Sequence, residues 1–162
     1  MKAGTVAVIG KANAGKSTLI NVLVGEKVAI VSPKPQTTRD RILGVLTRET
    51  HQIVFVDTPG LYRVNNALTD LMMKTAEATA KDVDAILFVV DGHTGISDDD
   101  VGRIKSYRDR GVPMLVAFTK TDIMPKENIA PNLAKIAQEA DVDVIPVSAR
   151  KGRNVRELEK AI

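Results

Sequence analysis

Val6-Ala-Val-Ile-Gly-Lys-Ala-Asn-Ala-Gly-Lys-Ser-Thr18 is the stretch whose reading decides the fold. A β-branched apolar run ends in Gly10, and Gly15, Lys16 and Ser17 complete the pattern G-x-x-x-x-G-K-[ST]. The run predicts a strand and the residues after it predict a helix, which is the context this motif needs before it carries chemistry. Glycines let the backbone turn tightly and approach a phosphate closely. Successive N–H groups along Asn13, Ala14, Gly15, Lys16, Ser17 and Thr18 then form an anion nest, reinforced by the positive end of the following helix. In such a loop the lysine, Lys16, reaches the β- and γ-phosphates and the Ser17 hydroxyl ligates Mg²⁺. The competing reading is a chance Gly-rich turn.

The bulk properties exclude several classes. A chain of 162 residues, 44% hydrophobic and 27% charged, is long enough for one α/β domain with a full-sized core. It contains no cysteine, so disulfides, thiolate metal sites and thiol redox chemistry are excluded. The N-terminus runs into a strand without a signal peptide and no apolar run has membrane-spanning length, so a cytoplasmic location is expected, with peripheral contact at the inner membrane as a further possibility. A net charge of +3 is too small to argue for nucleic-acid binding, and the cluster Arg150, Lys151, Arg153 and Arg156 reads as a solvated face. Aromatics make up 3% of the chain, which leaves little for base-stacking platforms.

Read in order, the pattern predicts strands at 5–9, 42–47, 52–56, 85–90, 113–118 and 142–147 and helices at 17–24, 67–80, 98–110, 127–140 and from 154 to the end. The short connection 48–51 makes an antiparallel hairpin, and the prolines at 33 and 35 make 32–40 an irregular loop. The Asp98-Asp-Asp100 run reads as a helix start, Asn154 as a cap, and Pro131 as a late start or a break in its helix. Alternating strands and helices with one hairpin describe a doubly wound α/β sheet with helices on both faces, in which ligands bind at the carboxyl ends of strands. Each polar motif falls at such an end.

Asp57-Thr-Pro-Gly60 follows an apolar strand, where Asp57 can hold Mg²⁺ opposite Ser17 and the Gly60 N–H can meet a γ-phosphate. The bland alternative is a simple Pro-Gly turn. In Lys34-Pro-Gln-Thr-Thr-Arg-Asp40, Thr38 is the candidate to complete Mg²⁺ coordination, against a plain solvated loop. Thr119-Lys-Thr-Asp122 is the base-reading candidate. A carboxylate at Asp122 can accept from both N1–H and the N2 amine of guanine, a donor pair that adenine lacks. Lys120 would cover the base with its apolar stem, and Ser148-Ala149, with Arg150 beside them, would supply an N–H for the guanine O6.

Together these motifs resemble the Era family of bacterial ribosome-assembly GTPases, of the translation-factor-class (TrmE-Era-EngA-like) P-loop GTPases. Pro35-Gln-Thr-Thr-Arg39 points to Era rather than to its relatives Der and MnmE, and Phe55-Val-Asp-Thr-Pro-Gly-Leu61 fits as well. The resemblance covers nearly the whole chain. It implies a Ras-like G domain with a six-stranded, mostly parallel sheet over residues 1–162, GTP and GDP as ligands, Mg²⁺ as cofactor and the 16S rRNA of the small ribosomal subunit as partner. The KH domain through which the family binds RNA has no counterpart expected within these residues. Two positions depart from the family pattern: Ala12 replaces a usual Pro, and Thr119 replaces the usual Asn of the base motif. A hydroxyl at 119 can still tether the phosphate loop, so guanine selection is retained with lower affinity expected.

Phosphoryl transfer depends mainly on positioning and charge neutralisation, and Lys16, Thr38, Gly60 and Asn13 are the catalytic candidates. Leu61 stands where Ras-like enzymes have a water-orienting Gln, so slow intrinsic turnover is expected. The resemblance to MnmE implies K⁺ as a ligand of Asn13, against an Asn kept for its turn propensity. Rival readings are a nucleotide-gated interaction module with negligible hydrolysis, a Der- or MnmE-like GTPase domain, and a P-loop ATPase or small-molecule kinase, which Asp122 argues against.

Overall fold

The apolar runs become strands of one sheet. A computed structural model of the chain describes residues 2–11, 14–25, 41–57, 83–109 and 111–162. The strands are β1 (Lys2–Gly10), β2 (Arg41–Thr47), β3 (His51–Asp57), β4 (Ala85–Asp91), β5 (Met114–Thr119) and β6 (Asp143–Pro146). They form a six-stranded sheet in the order β2-β3-β1-β4-β5-β6. Only the β2–β3 pair is antiparallel among the described ladders, as the short connection at 48–51 requires. The described helices are α1 (Lys16–Val24), α2 (Asp98–Arg108), α3 (Lys126–Lys135) and α4 (Val155–Ala161). The expected loop at 32–40 and helix at 67–80 lie outside the described residues.

Side-chain alternation divides the core between the two faces of the sheet. Ala7 and Ile9 of β1 pack in one cluster with Val101, Ile104 and Tyr107 of α2 and with Ile136. Val6 and Val8 pack in the other with Leu19, Ile20 and Leu23 of α1 and Leu158 of α4. Helices therefore cover both faces. Phe55, Phe88 and Phe118 are completely buried. Full burial of a side chain of this size contributes about 1.5–3 kcal/mol.

Chain direction fixes where a ligand can bind. From β1 the chain first runs to the edge strand β2 and returns through β3 beside β1, then crosses to β4 on the other side of β1. The sheet therefore reverses its winding at β1, and the crevice of a doubly wound sheet opens at the carboxyl end of that strand. Val8 lies opposite Asp57, Gly10 opposite Val89, and Asp91 opposite Thr119, so the polar strand ends share one rim.

Three local expectations change. The helix at 127–140 begins at Lys126 and runs through Pro131 without a break. Proline there deprives the Glu127 carbonyl of its partner, but that turn is exposed and water can satisfy it. The irregularity comes later, as a π-helical turn over Ile136–Ala140. Asn154 precedes α4 but does not cap it with its side chain, which donates to the Pro146 carbonyl at 2.8 Å. Helix α2 ends at Arg108, whose guanidinium donates to the Ala140 carbonyl. The acidic run behaves as read: Ser97 and Asp100 form a reciprocal capping box.

The hairpin is fastened to the last helix by a bidentate pair. Arg48 Nε donates to Glu159 Oε1 at 2.7 Å and Nη2 to Oε2 at 3.0 Å. Those hydrogen bonds hold the Glu159 carboxyl below its ordinary value of 4.5. A depressed carboxyl contributes stability above its unfolded pKa and loses it as pH falls through the folded one. Glu159→Gln should cost about 0.2–1 kcal/mol in urea unfolding at neutral pH, the range of exposed ion pairs. The gap between wild type and variant should narrow progressively as pH falls below 4.5. A gap independent of pH would show that the pair contributes packing rather than charge.

Candidate functional site

The loop after β1 turns into α1 at Gly15, whose φ of 90° places it in the left-handed region. Gly15 occupies the N-cap position and brings no side-chain hydrogen bond to the first turn. Lys16 folds back over this turn. Its Nζ donates to the Gly10 carbonyl at 3.0 Å and to Asp57 Oδ1 at 3.2 Å. Both side chains of the ion pair are nearly buried, at 12% and 13% exposure. Beside the loop, Lys11 meets the buried carboxylate of Asp100 at 3.6 Å.

Thr119 ends β5 and is 3% exposed. Its Oγ1 lies 2.9 Å from the Ala14 carbonyl and 3.0 Å from the Val90 carbonyl, and shares its one proton between them. The tether anticipated for this hydroxyl is therefore present. It joins the phosphate-type loop to the ends of β4 and β5. Lys120 follows in a left-handed conformation with φ 59°, uncommon for a residue with a side chain. Its Nζ pairs with Asp91 Oδ2 at 3.0 Å. The Thr121 hydroxyl donates to the Val147 carbonyl at 3.1 Å, which ties this turn to the segment after β6.

Asp122 is held in place from behind. Ser148 Oγ donates to Asp122 Oδ1 at 2.9 Å and accepts from the Lys151 N–H at 3.1 Å. Ser148 itself is completely buried. Its loop closes through reciprocal backbone hydrogen bonds with Arg153. Ala14, Gly15, Thr18, Thr119, Lys120, Asp122, Ile123, Ala149 and Arg150 line one cavity of about 220 Å³. The phosphate-type loop and the base-reading candidates thus share a single enclosure, although they come from three distant parts of the chain.

Most of the candidate residues converge. Lys16 and Asp57 pair at the loop end of the rim, and Ser17 sits exposed in the first turn of α1. Ser17 and Asp57 are hard oxygen donors suited to Mg²⁺, whose other ligands in such sites are phosphate oxygens and water. Asn13, Thr38, Gly60 and Leu61 lie outside the described residues. Among the described residues, no cluster of His, Cys, Asp or Glu is large enough to hold a metal by itself. Sequence reading missed Asp91, the partner of Lys120, and Ile123, a 49%-exposed apolar side chain in the cavity wall. Both carried a weak signal: Asp91 ends a strand, and Ile123 is apolar directly after the base-reading carboxylate.

The 50S ribosome-binding GTPase family matches residues 5–120. The chain belongs to this family. GTPase Era of Caldanaerobacter subterraneus subsp. tengcongensis is 42% identical over 162 residues, which cover 99% of this chain and 54% of that protein. The chain thus spans about half the length of such relatives. A point variant of Era from Aquifex aeolicus, bound to GDP and AlF4⁻, superposes with a TM-score of 0.80 at 38% identity over 99% of this chain and 56% of that one. Era in complex with MgGDPNP and a segment of 16S ribosomal RNA superposes equally well, with a TM-score of 0.80 at 39% identity over 99% of this chain and 55% of the other. The Ras-like P-loop GTPase fold and the Era resemblance read from the motifs both hold.

Thr119 is where this member of the family substitutes a hydroxyl for the usual amide, and it is buried. Thr119→Val keeps the shape and removes the tether. Removing one partner of a buried hydrogen bond costs about 1–3 kcal/mol, so the urea midpoint should fall accordingly with an unchanged m-value. A midpoint matching the wild type would show that the hydroxyl is dispensable to the rim.

Proposed function

We propose that this chain is a guanine-nucleotide switch domain that hydrolyses GTP to GDP and phosphate. The observation that carries the reading is the shared cavity, in which Ala14 and Gly15 of the phosphate-type loop meet the braced carboxylate of Asp122. One lone pair of Asp122 is taken by the Ser148 hydroxyl, and enough capacity remains to accept the two N–H groups of a guanine edge. The Lys120 stem covers the base, and an N–H of the Ser148-Ala149-Arg150 segment meets O6. The loop N–H groups and the Lys16 ammonium cradle the phosphates. To do so Lys16 must exchange its Asp57 partner for phosphate oxygen, which frees Asp57 to hold Mg²⁺ together with Ser17. The metal, when bound, neutralises charge on the β- and γ-oxygens.

Thr38 and the Gly60 N–H are assigned to sensing the γ-phosphate, so both anchors are released on hydrolysis. Leu61 offers no hydrogen bond to the attacking water, so turnover is slow, and Asn13 is assigned to hold a K⁺ that compensates for part of the missing charge. The relatives extend the reading to a partner. One of them is solved with nucleotides of 16S ribosomal RNA, and we assign this chain to assembly of the small ribosomal subunit in the cytoplasm, with 1–162 as its G domain. No described helix is long and apolar enough to cross a membrane. A GDP- and GTP-binding module with negligible hydrolysis is the second reading, and Leu61 is what favours it.

Competition for labelled GTP tests the site. GDP should displace it and ATP should not, and Asp122→Ala should weaken binding by roughly 100-fold, the equivalent of about 3 kcal/mol for two hydrogen bonds to a charged group. Equal competition by ATP would overturn the guanine reading. Single-turnover hydrolysis in K⁺ should outpace that in Na⁺ at equal ionic strength. Equal rates would remove the role of Asn13, and no hydrolysis in either would leave the binding module.

A further inference from the structure

We propose that Asp91 is a positioning residue for nucleotide binding, holding Lys120 in its base-covering pose before the ligand arrives. The inference rests on the guanine-nucleotide reading of the cavity and deepens it. Nothing in the motif pattern points to Asp91, which ends β4 and belongs to none of the phosphate, magnesium or base-reading segments.

The geometry is built from both sides. Asp91 and Thr119 are register partners at the ends of adjacent strands. Immediately after them the Gly92 N–H donates to the Thr119 carbonyl at 2.9 Å. A Cβ on Gly92 would lie 2.2 Å from that same carbonyl oxygen, so the two chains come as close as only glycine permits. Lys120 leaves this junction in the left-handed conformation, which turns its side chain back along the rim instead of outward along the strand direction. The Lys120 Cε passes 3.8 Å from where a Gly15 Cβ would be, so the stem crosses the phosphate-type loop. It ends on Asp91 Oδ2 at 3.0 Å.

Asp91 is itself fixed. Its Oδ1 accepts the His93 N–H at 2.9 Å, and its carbonyl accepts the Thr94 hydroxyl at 3.2 Å and the Gly95 N–H at 3.0 Å. The Asp91 side chain is 12% exposed and that of Lys120 33%. The carboxylate is therefore oriented by the turn after β4 and offers one oxygen to the lysine. The consequence is entropic. A lysine carries considerable rotamer freedom, which a ligand would otherwise have to quench on binding. With the ammonium anchored on Asp91, the methylenes wall the cavity, and binding avoids part of that ordering cost.

A double-mutant cycle with a fluorescent GDP analogue tests the pairing in the 162-residue chain. The variants are Asp91→Asn, Lys120→Met, which keeps the apolar stem without the ammonium, and the double variant. In the wild-type background Asp91→Asn should weaken the analogue by about 3–10-fold, the equivalent of ordering one long side chain, through faster release. In the Lys120→Met background it should change nothing. An equal loss in both backgrounds would make Asp91 merely structural, and no loss in the wild-type background would remove the proposal. Thermal unfolding accompanies each variant. If Asp91→Asn does not fold, Asp91→Ser, which retains an acceptor for the His93 N–H, carries the same cycle with the same outcomes. Failure of the wild-type protein to bind the analogue would overturn the guanine reading itself, and it is seen before any variant is compared.

Discussion

One buried hydroxyl holds the rim together. Thr119 Oγ1 bonds to carbonyls at the end of β4 and in the loop after β1, while its own backbone ends β5. Three segments from the first third, the middle and the last third of the chain are thereby fixed to within a hydrogen-bond length of each other. The neighbours of Thr119 inherit that precision: Lys120 starts its return along the rim from here, and Asp122 lies one turn further, against Ser148. A site whose parts act on the two ends of one ligand depends on such a fixed separation. On the proposed reading main-chain N–H groups would hold the phosphates and a carboxylate the base, so an error in their spacing would forfeit one or the other.

The charges of the site are compensated internally. Lys16 pairs with Asp57 and Lys120 with Asp91, each cation meeting a carboxylate that is largely withdrawn from water. Half-buried charges without partners are costly, and each pair gives its cation and its carboxylate a partner. On the proposed reading they differ in what a nucleotide would do to them. Lys16 would leave Asp57 to reach a phosphate, so the ligand would break the first pair and release Asp57 toward a metal. Lys120 would contribute its stem rather than its charge to the base, so the second pair would persist. One pair would then act as a placeholder and the other as a brace.

Much of this architecture was legible because burial on both faces of a parallel sheet writes continuous apolar runs, and because the polar motifs interrupt those runs at strand ends. The Gly10–Ser17 loop, Asp57 and the Thr119–Asp122 segment announced themselves in that way. Asp91 did not, since an Asp-Gly after a strand reads equally well as an ordinary turn, and its partner Lys120 lies 29 residues away with no spacing rule to connect them. Pro131 misled because the rule against proline concerns a carbonyl buried in the helix, whereas that of Glu127 faces solvent. Asn154 misled for the opposite reason. It has the composition of a cap, but the Pro146 carbonyl offers its amide a partner that sequence cannot place. Thr119 shows the useful side of a departure from pattern: the shorter side chain still reaches two carbonyls, because the strand ends are already close.

The central claim is that one cavity at this rim receives a guanine nucleotide, with Asp122 at the base and Lys16 at the phosphates. A crystal structure of the protein with GDP and Mg²⁺ tests it most directly. The account predicts the guanine edge on the Asp122 carboxylate, the Lys120 stem across the base with its ammonium still on Asp91, and Lys16 Nζ moved from its 3.2 Å contact with Asp57 onto phosphate oxygen. A nucleotide bound away from this cavity, or bound in it with the Lys16–Asp57 pair intact, would contradict the account.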